Sequence, residues 1–327
     1  MPEMRMIEAV REAIAEEMER DERVLVLGED VGRKGGVFGA TDGLYARFGE
    51  ARVLDTPLAE SAIVGVAIGA ALNGLIPIAE IQFADFIHPA FDQIVSEAAR
   101  TRYRSNGDWS VPIVVRTPFG GGVHGGLYHS QSIEAFYAHV PGLKVVVPSM
   151  PADAHGLLKS AIRDPDPVLF LEHKKLYRLL AEEVPDGDDL VPIGPAVVRR
   201  EGTNMSCFAW GLMTHYCLEA AARLETEGVS VEVVDLRTLA PLDRETILES
   251  VRKTGKAIVV YEDNLTGGFG AEVAAIISEH AFDSLDGPVT RVAAPDIPAM
   301  PFNTPQEEFF MPNPQKIADA MRKLSAY

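Results

Sequence analysis

The strongest constraint on the fold is an alternation that occurs twice. Short apolar runs alternate with stretches whose apolar residues follow helical spacing, on both sides of a Pro/Gly-rich interruption. On the N-terminal side, the pattern predicts strands at 24–28, 52–54, 76–83, 112–116, 144–147 and 168–171, with helices at 61–72, 89–103 and 152–162. A surface helix precedes them, with Ile7, Val10, Ile14 and Met18 at helical spacing. On the C-terminal side, strands at 206–210, 230–235, 257–262 and 289–293 alternate with helices at 215–227, 244–253 and 270–280, before a last helix near 314–323. Such alternation implies an α/β protein of two domains, each a mostly parallel sheet with helices on both faces. The interruption holds Pro185, Gly187, Pro192, Gly194 and Pro195 beside clustered acids, so the expected organisation is a domain at 1–185, a linker at 186–202 and a domain at 203–327. A length of 327 residues suits two domains.

Several classes are excluded. The run from Ser61 to Ile81 is mostly apolar, but Asn73-Gly74 and Pro77 break it, so neither half reaches the ~20 residues of a membrane span. The acidic first twenty residues have no uninterrupted apolar core and resemble neither a signal nor a transit peptide, which points to the cytoplasm. Cys207 and Cys217 fit no zinc or redox spacing, as expected of a reducing interior. Thirty Lys+Arg against 48 Asp+Glu give a net charge of −18 with no basic stripe, which excludes nucleic acid as a partner. The acidity either solvates the surface or steers a basic protein partner.

Three segments carry candidate chemistry. In Asp55-Thr56-Pro57-Leu58-Ala59-Glu60, an extended stretch turns into a helix of small residues, where Gly65 and Gly69 leave a bare stripe for close backbone packing. Glu60 is therefore expected at a crowded, partly desolvated place, where burial favours a carboxyl that holds and passes a proton. The structural alternative is an acid stabilised by the helix dipole. The second segment, Phe119 to Ser132, contains a G-x-G-x-x-G match at Gly120, Gly122 and Gly125, but no helical run follows. It reads better as a glycine-rich loop presenting His124 and His129 for acid–base or anion-binding work, against incidental histidines in a structural turn. With His139, these histidines lack the spacing of a helical zinc site. The third, Gly267-Gly268-Phe269-Gly270, opens a helix and is either a phosphate site or a tight turn, with no P-loop lysine to favour the first.

Together these segments resemble the beta subunit of the thiamine-diphosphate-dependent 2-oxo acid dehydrogenases, nearly end to end. The marks are Gly28-Glu29-Asp30-Val31-Gly32, Asp55 to Glu60, Ala79-Glu80-Ile81-Gln82-Phe83-Ala84-Asp85-Phe86, His129-Ser130-Gln131-Ser132, Pro141 to Val146, Val234-Asp235-Leu236-Arg237-Thr238 and Leu265-Thr266-Gly267-Gly268. The resemblance implies a transketolase-like fold, with a pyrimidine-type domain followed by a transketolase C-terminal-like domain. It implies that Glu60 exchanges a proton with a ring nitrogen of the cofactor's aminopyrimidine, in a pocket formed with Glu29, Leu58, Gln82 and Phe86. It implies that His129 orients substrate and passes the acyl group to a lipoyl arm, with His124 on the same channel. A potassium site built mainly from backbone carbonyls is implied at Val111, Ile113, Val114, Ala161, Asp164 and Asp166.

The family's diphosphate motif, Gly-Asp-Gly followed downstream by Asn, is absent from this sequence. Magnesium and the diphosphate are therefore expected on an alpha subunit, in an α₂β₂ heterotetramer. The C-terminal domain is expected to dock the basic binding domain of a dihydrolipoyl acyltransferase, with Asp296 and Tyr327 taking part. Gly126 to Ser132 with Ala135-Phe136-Tyr137-Ala138-His139 looks most like the branched-chain enzymes, which act on small 2-oxo acids; pyruvate and acetoin dehydrogenases are the nearest alternatives. Outside this class stand a nicotinamide-dependent dehydrogenase using Gly120 to Gly125 and a non-catalytic docking subunit.

Overall fold

The structure, a computed structural model, describes residues 2–185 and 187–327. The chain divides into two compact units: Met1–Phe119 with Phe136–Ile193, and Gly120–Ala135 with Gly194–Tyr327. The glycine-rich loop thus belongs to the second unit, although its sequence interrupts the first. Residue 186, where the linker was expected to begin, lies outside the described residues. The rest of that span is not mere connection, because Val197–Arg200 forms an edge strand of the second unit.

In the first unit, six strands lie in the order Lys144–Val146, Val168–His173, Val114–Phe119, Ile76–Glu80, Val24–Gly28, Val53–Asp55, all parallel. Four of them, Val24–Gly28, Ile76–Glu80, Val114–Phe119 and Val168–His173, are buried at every residue. Continuous burial is the signature of a parallel sheet covered on both faces. The helices Met6–Arg20 and Pro151–Ile162 pack together, with Lys159 paired to Glu16 at 2.7 Å and Arg163 to the buried Glu17 at 2.5 Å. The apolar run after Ser61 resolves as expected into helix Glu60–Leu72, a turn at Asn73-Gly74 and strand Ile76–Glu80. The helix expected at 89–103 is instead broken into a 3₁₀ turn His88–Ala90, a π-helical stretch Gln93–Ala98 and a short helix Thr101–Arg104. The backbone widens there, with the Ala99 N–H reaching the Ile94 carbonyl at 3.0 Å, which helical periodicity in the sequence does not signal.

At the C-terminal ends of three neighbouring strands sits a buried ionic group. Arg116 gives Nε and Nη2 to Glu172 at 2.8 and 2.5 Å and Nη1 to Glu80, while the Tyr177 hydroxyl reaches Glu172 at 2.5 Å. Burial opposes the guanidinium charge, but Glu172 and Glu80 outweigh it and hold Arg116 above its ordinary pKa. Burial, and then Glu172, push the Glu80 carboxyl up against the attraction of Arg116.

In the second unit the order is Thr290–Ala294, Ala257–Asn264, Met205–Ala209, Val231–Asp235, Val197–Arg200. Only the last strand is antiparallel to its neighbour. Helices Leu212–Glu225, Arg244–Thr254, Gly270–His280 and Pro314–Ser325 accompany this sheet. Among the described residues no helix is long and apolar enough to cross a membrane.

Removing the cation of the buried group leaves carboxylates facing each other without water. Arg116→Ala is expected to lose about 3–5 kcal/mol, and Tyr177→Phe about 1–2 kcal/mol. Urea titration followed by circular dichroism measures both.

Candidate active site

Three adjacent parallel strands deliver the predicted cofactor residues to one rim of the first unit. Glu29 follows strand Val24–Gly28, Glu60 follows strand Val53–Asp55 by a short turn, and Gln82 follows strand Ile76–Glu80. The chain runs from Val24–Gly28 outward to Val53–Asp55 and returns to Ile76–Glu80 on the other side. That reversal beyond the carboxyl ends of parallel strands is where open α/β sheets place ligand sites.

Local contacts fix the rim. A Cβ on Gly28 would stand 2.6 Å from the Glu80 carbonyl oxygen, so only glycine lets these two strands end so close. Asp55 accepts the Gly32 N–H at 2.6 Å, and Thr56 donates its N–H to the Gly28 carbonyl at 2.9 Å. The Gln82 side-chain amide donates to the Glu29 carbonyl and to Asp30 Oδ2, both at 3.3 Å, and Lys34 pairs with Asp30 at 2.5 Å. Phe86 ends a 3₁₀ turn Ala84–Phe86, and its ring meets Phe83 edge-on at 6.0 Å.

Glu60 is the first residue of helix Glu60–Leu72 and is half-buried, as are Glu29, Gln82 and Phe86. Leu58 is 69% exposed, an aliphatic side chain held out beside the carboxyls. Partial burial raises the Glu29 carboxyl first, then the charges of Asp30 and Glu60, with Lys34 opposing. The rim thus offers an aromatic ring, an open aliphatic side chain, an amide and two interacting carboxyls. These groups fit a flat, nitrogen-bearing ring, whereas the acids Glu29, Asp30 and Glu60 would repel a diphosphate. Beyond them, the outer face of the helix is open: Ala62, Gly65 and Val66 are exposed, and a Cβ on Gly69 would meet nothing within 4 Å.

His124 and His129 lie in the second unit, on the loop that opens at Gly120. Gly120 donates its N–H to the Gln131 carbonyl at 3.0 Å, closing the loop base. Glu262 accepts the Gly121 N–H, and Glu307 accepts those of Gly122 and His124 at 3.0 and 3.1 Å. The dinucleotide reading of Gly120 to Gly125 therefore fails on geometry: these amide donors already hold carboxylates, which repel a pyrophosphate, and no helix follows until Glu134–Ala138. Glu134 is buried and accepts from Trp210 Nε1 at 3.1 Å; burial and the charge of Asp263 push its carboxyl up to about 8. Glu262, Glu307 and Glu134 were not singled out in the sequence, where the first two stand 141 and 185 residues from their loop partners.

The remaining candidates separate. Gly268 and Gly270 pack against the Tyr261 ring, which favours the tight-turn reading of that segment. The suggested potassium positions come together at the N-terminal ends of strands Val114–Phe119 and Val168–His173, opposite the cofactor rim. There the Ile113 carbonyl accepts the Val168 N–H at 3.0 Å, Asp164 is paired with Lys144 at 2.6 Å and Asp166 with Arg102. The Val111 carbonyl accepts the Ile113 N–H at 2.9 Å, and the Ala161 carbonyl accepts the Asp164 N–H at 3.3 Å. Asp296 is exposed but bonded to Thr266 at 2.7 and 3.0 Å, and Tyr327 is 72% exposed.

Two family models match the chain: the transketolase pyrimidine binding domain over residues 2–179 and the transketolase C-terminal domain over residues 194–317. The chain is 62% identical over 327 residues to the 2-oxoisovalerate dehydrogenase subunit beta of Bacillus subtilis (strain 168), covering 100% of both. It is 52% identical over 324 residues to the pyruvate dehydrogenase E1 component subunit beta of the same organism, covering 99% of each. Among solved structures, a split gene transketolase described as an inactive beta4 tetramer matches with a TM-score of 0.79 and 26% identity, over 99% of both chains.

The electrostatic link between the two rim carboxyls is measurable. In Glu60→Gln, which removes a neighbouring negative charge, the Glu29 carboxyl is expected to titrate at lower pH than in the unaltered chain. Carbon-13 NMR of the side-chain carboxyls reads the shift. Because the Glu29 pKa is raised on folding, its contribution to stability is present at low pH and is lost as pH rises through the folded value.

Proposed function

Because the chain belongs to the family of 2-oxo acid dehydrogenase beta subunits, built from transketolase pyrimidine-binding and C-terminal domains, we propose that it decarboxylates branched-chain 2-oxo acids with thiamine diphosphate. The observation that carries this reading is the half-buried Glu60 carboxyl at a helix start, beside Glu29, Gln82 and Phe86 on the switch-point rim. Thiamine diphosphate supplies the carbon nucleophile and the electron sink that the chemistry requires. Glu60 holds and returns a proton at a ring nitrogen of the pyrimidine. Phe86 and Leu58 cover the flat ring and exclude water from it. The Gln82 amide, anchored on the Glu29 carbonyl, orients the ring edge. Glu29 lies beside Glu60, and partial burial followed by the charges of Asp30 and Glu60 raises its carboxyl.

The acidic rim supports a partner that carries the diphosphate and its magnesium, namely an alpha subunit in an α₂β₂ assembly. The open face of helix Glu60–Leu72 is a surface suited to close subunit packing. His129, with His124 on its loop, serves transfer of the acyl group to the lipoyl arm of a dihydrolipoyl acyltransferase. Asp296 and Tyr327, on an acidic chain, suit docking of that enzyme's basic binding domain. The carbonyls of Val111, Ile113, Val114 and Ala161 are the positions suggested for a structural potassium ion, with Asp164 and Asp166 tied down by Lys144 and Arg102.

The test is reconstitution with an alpha subunit, thiamine diphosphate and magnesium. The assembly is expected to turn over 3-methyl-2-oxobutanoate faster than pyruvate or acetoin; preference for either of the others would move the assignment to that branch. Glu60→Gln is expected to lose activity by a factor on the order of 10²–10⁴ without loss of assembly. Full activity in that variant would remove the proposed role.

A further inference from the structure

The second unit contains a side chain whose geometry goes beyond the roles above. Glu307, in helix Thr304–Phe310, is 4% exposed and grips the glycine-rich loop three times. One carboxylate oxygen accepts the N–H groups of Gly122 and His124, and the other lies 2.8 Å from His124 Nδ1. Left-handed residues at every second position, Gly120, Gly122, His124 and Gly126 at φ 83°, 76°, 58° and 64°, bend the backbone into this anion-holding nest. His124 is a non-glycine residue in the left-handed region, and its N–H is held there by Glu307 at 3.1 Å. A carboxylate only accepts, so the proton of a neutral His124 imidazole sits on Nδ1, leaving the lone pair on Nε2.

The loop then closes on His129. A Cβ on Gly125 would stand 2.5 Å from the His129 carbonyl oxygen, so the two residues share one packed turn. On its other side, a Cβ on Gly121 would stand 2.5 Å from Met300 Cε, and one on Gly126 would strike the Phe302 ring. The segment carrying Met300, Phe302 and Glu307 is thus the bed on which the histidine loop lies.

We propose that Glu307 is a positioning residue for acyl transfer, setting the tautomer of His124 and, through the Gly122–His129 turn, the place of His129. This rests on the assignment of the two histidines above. Glu307→Gln keeps an oxygen for the backbone N–H groups but offers His124 a donor where it needs an acceptor. Glu307→Ala removes both functions.

In the assembled enzyme, two rates are compared: decarboxylation with a dye as electron acceptor, and acylation of an isolated lipoyl domain. Glu307→Gln is expected to lower kcat for lipoyl acylation at least tenfold more than dye reduction, with the thermal midpoint nearly unchanged. Combined with His124→Ala it is expected to add no further loss, because it acts through that imidazole. Equal loss of both rates, wild-type acylation, or additive losses in the double variant would each overturn the proposal. If His124→Ala and His129→Ala are both silent in acylation, the histidine assignment fails as well. If they are impaired while Glu307→Gln is silent, only the present inference fails.

Discussion

The first unit depends on one buried cation. Arg116 joins strands Ile76–Glu80, Val114–Phe119 and Val168–His173 through carboxylates on both neighbours, toward the end of the sheet where Glu29, Glu60 and Gln82 emerge. Its own carbonyl also accepts the Ile81 N–H at 3.0 Å, which starts the turn leading to Gln82 and Phe86. From Tyr177, which completes the ionic group, contact continues through Phe38 to Phe83, with ring centroids 5.5 Å apart at each step. The ionic group and the aromatic chain brace the segment that carries Gln82 and Phe86. A parallel sheet leaves its strand ends without hairpin constraints, so the rim needs such cross-strand ties.

The two units use carboxylates in opposite ways. In the first, Glu29 and Glu60 are half-buried at the rim, and the charge of Glu60 adds to burial in raising the Glu29 carboxyl. In the second, Glu262 and Glu307 are almost fully buried and accept backbone N–H groups of the loop, a setting that holds backbone in place. Glu134 and Asp263 form a third kind, pushed by burial to about 8 and about 6 respectively.

Much of this was legible in the sequence where the determinants are local. The alternation of apolar runs and helical periods located the parallel strands because continuous burial forces continuous apolarity. Glu60 stood out as a candidate, against the alternative of a helix-dipole acid, because a carboxyl at the head of an otherwise small and apolar helix is conspicuous, and Gln82 and Phe86 stood out because their segment carries family motifs. Arg116, Glu262 and Glu307 were not visible. Each is an ordinary charged residue whose meaning comes from a partner far away in sequence, and a single chain gives no sign of that pairing. The broken helix after Pro89 was missed because π-helical widening preserves the apolar pattern. Assignment of residues 120–135 to the second unit was missed for the same reason as Glu307: the loop's N–H groups are satisfied by residues that follow it by more than a hundred positions.

That placement has a consequence for how the chain is made. Residues 120–135 leave the ribosome well before Glu262 and Glu307, so the histidine loop has no template during synthesis of most of the protein. The six parallel strands of the first unit have all been translated once Val168–His173 emerges. The loop must wait until helix Thr304–Phe310 is translated, close to the end of the chain. A chain that ends before helix Thr304–Phe310 therefore lacks the carboxylate that accepts the Gly122 and His124 N–H groups.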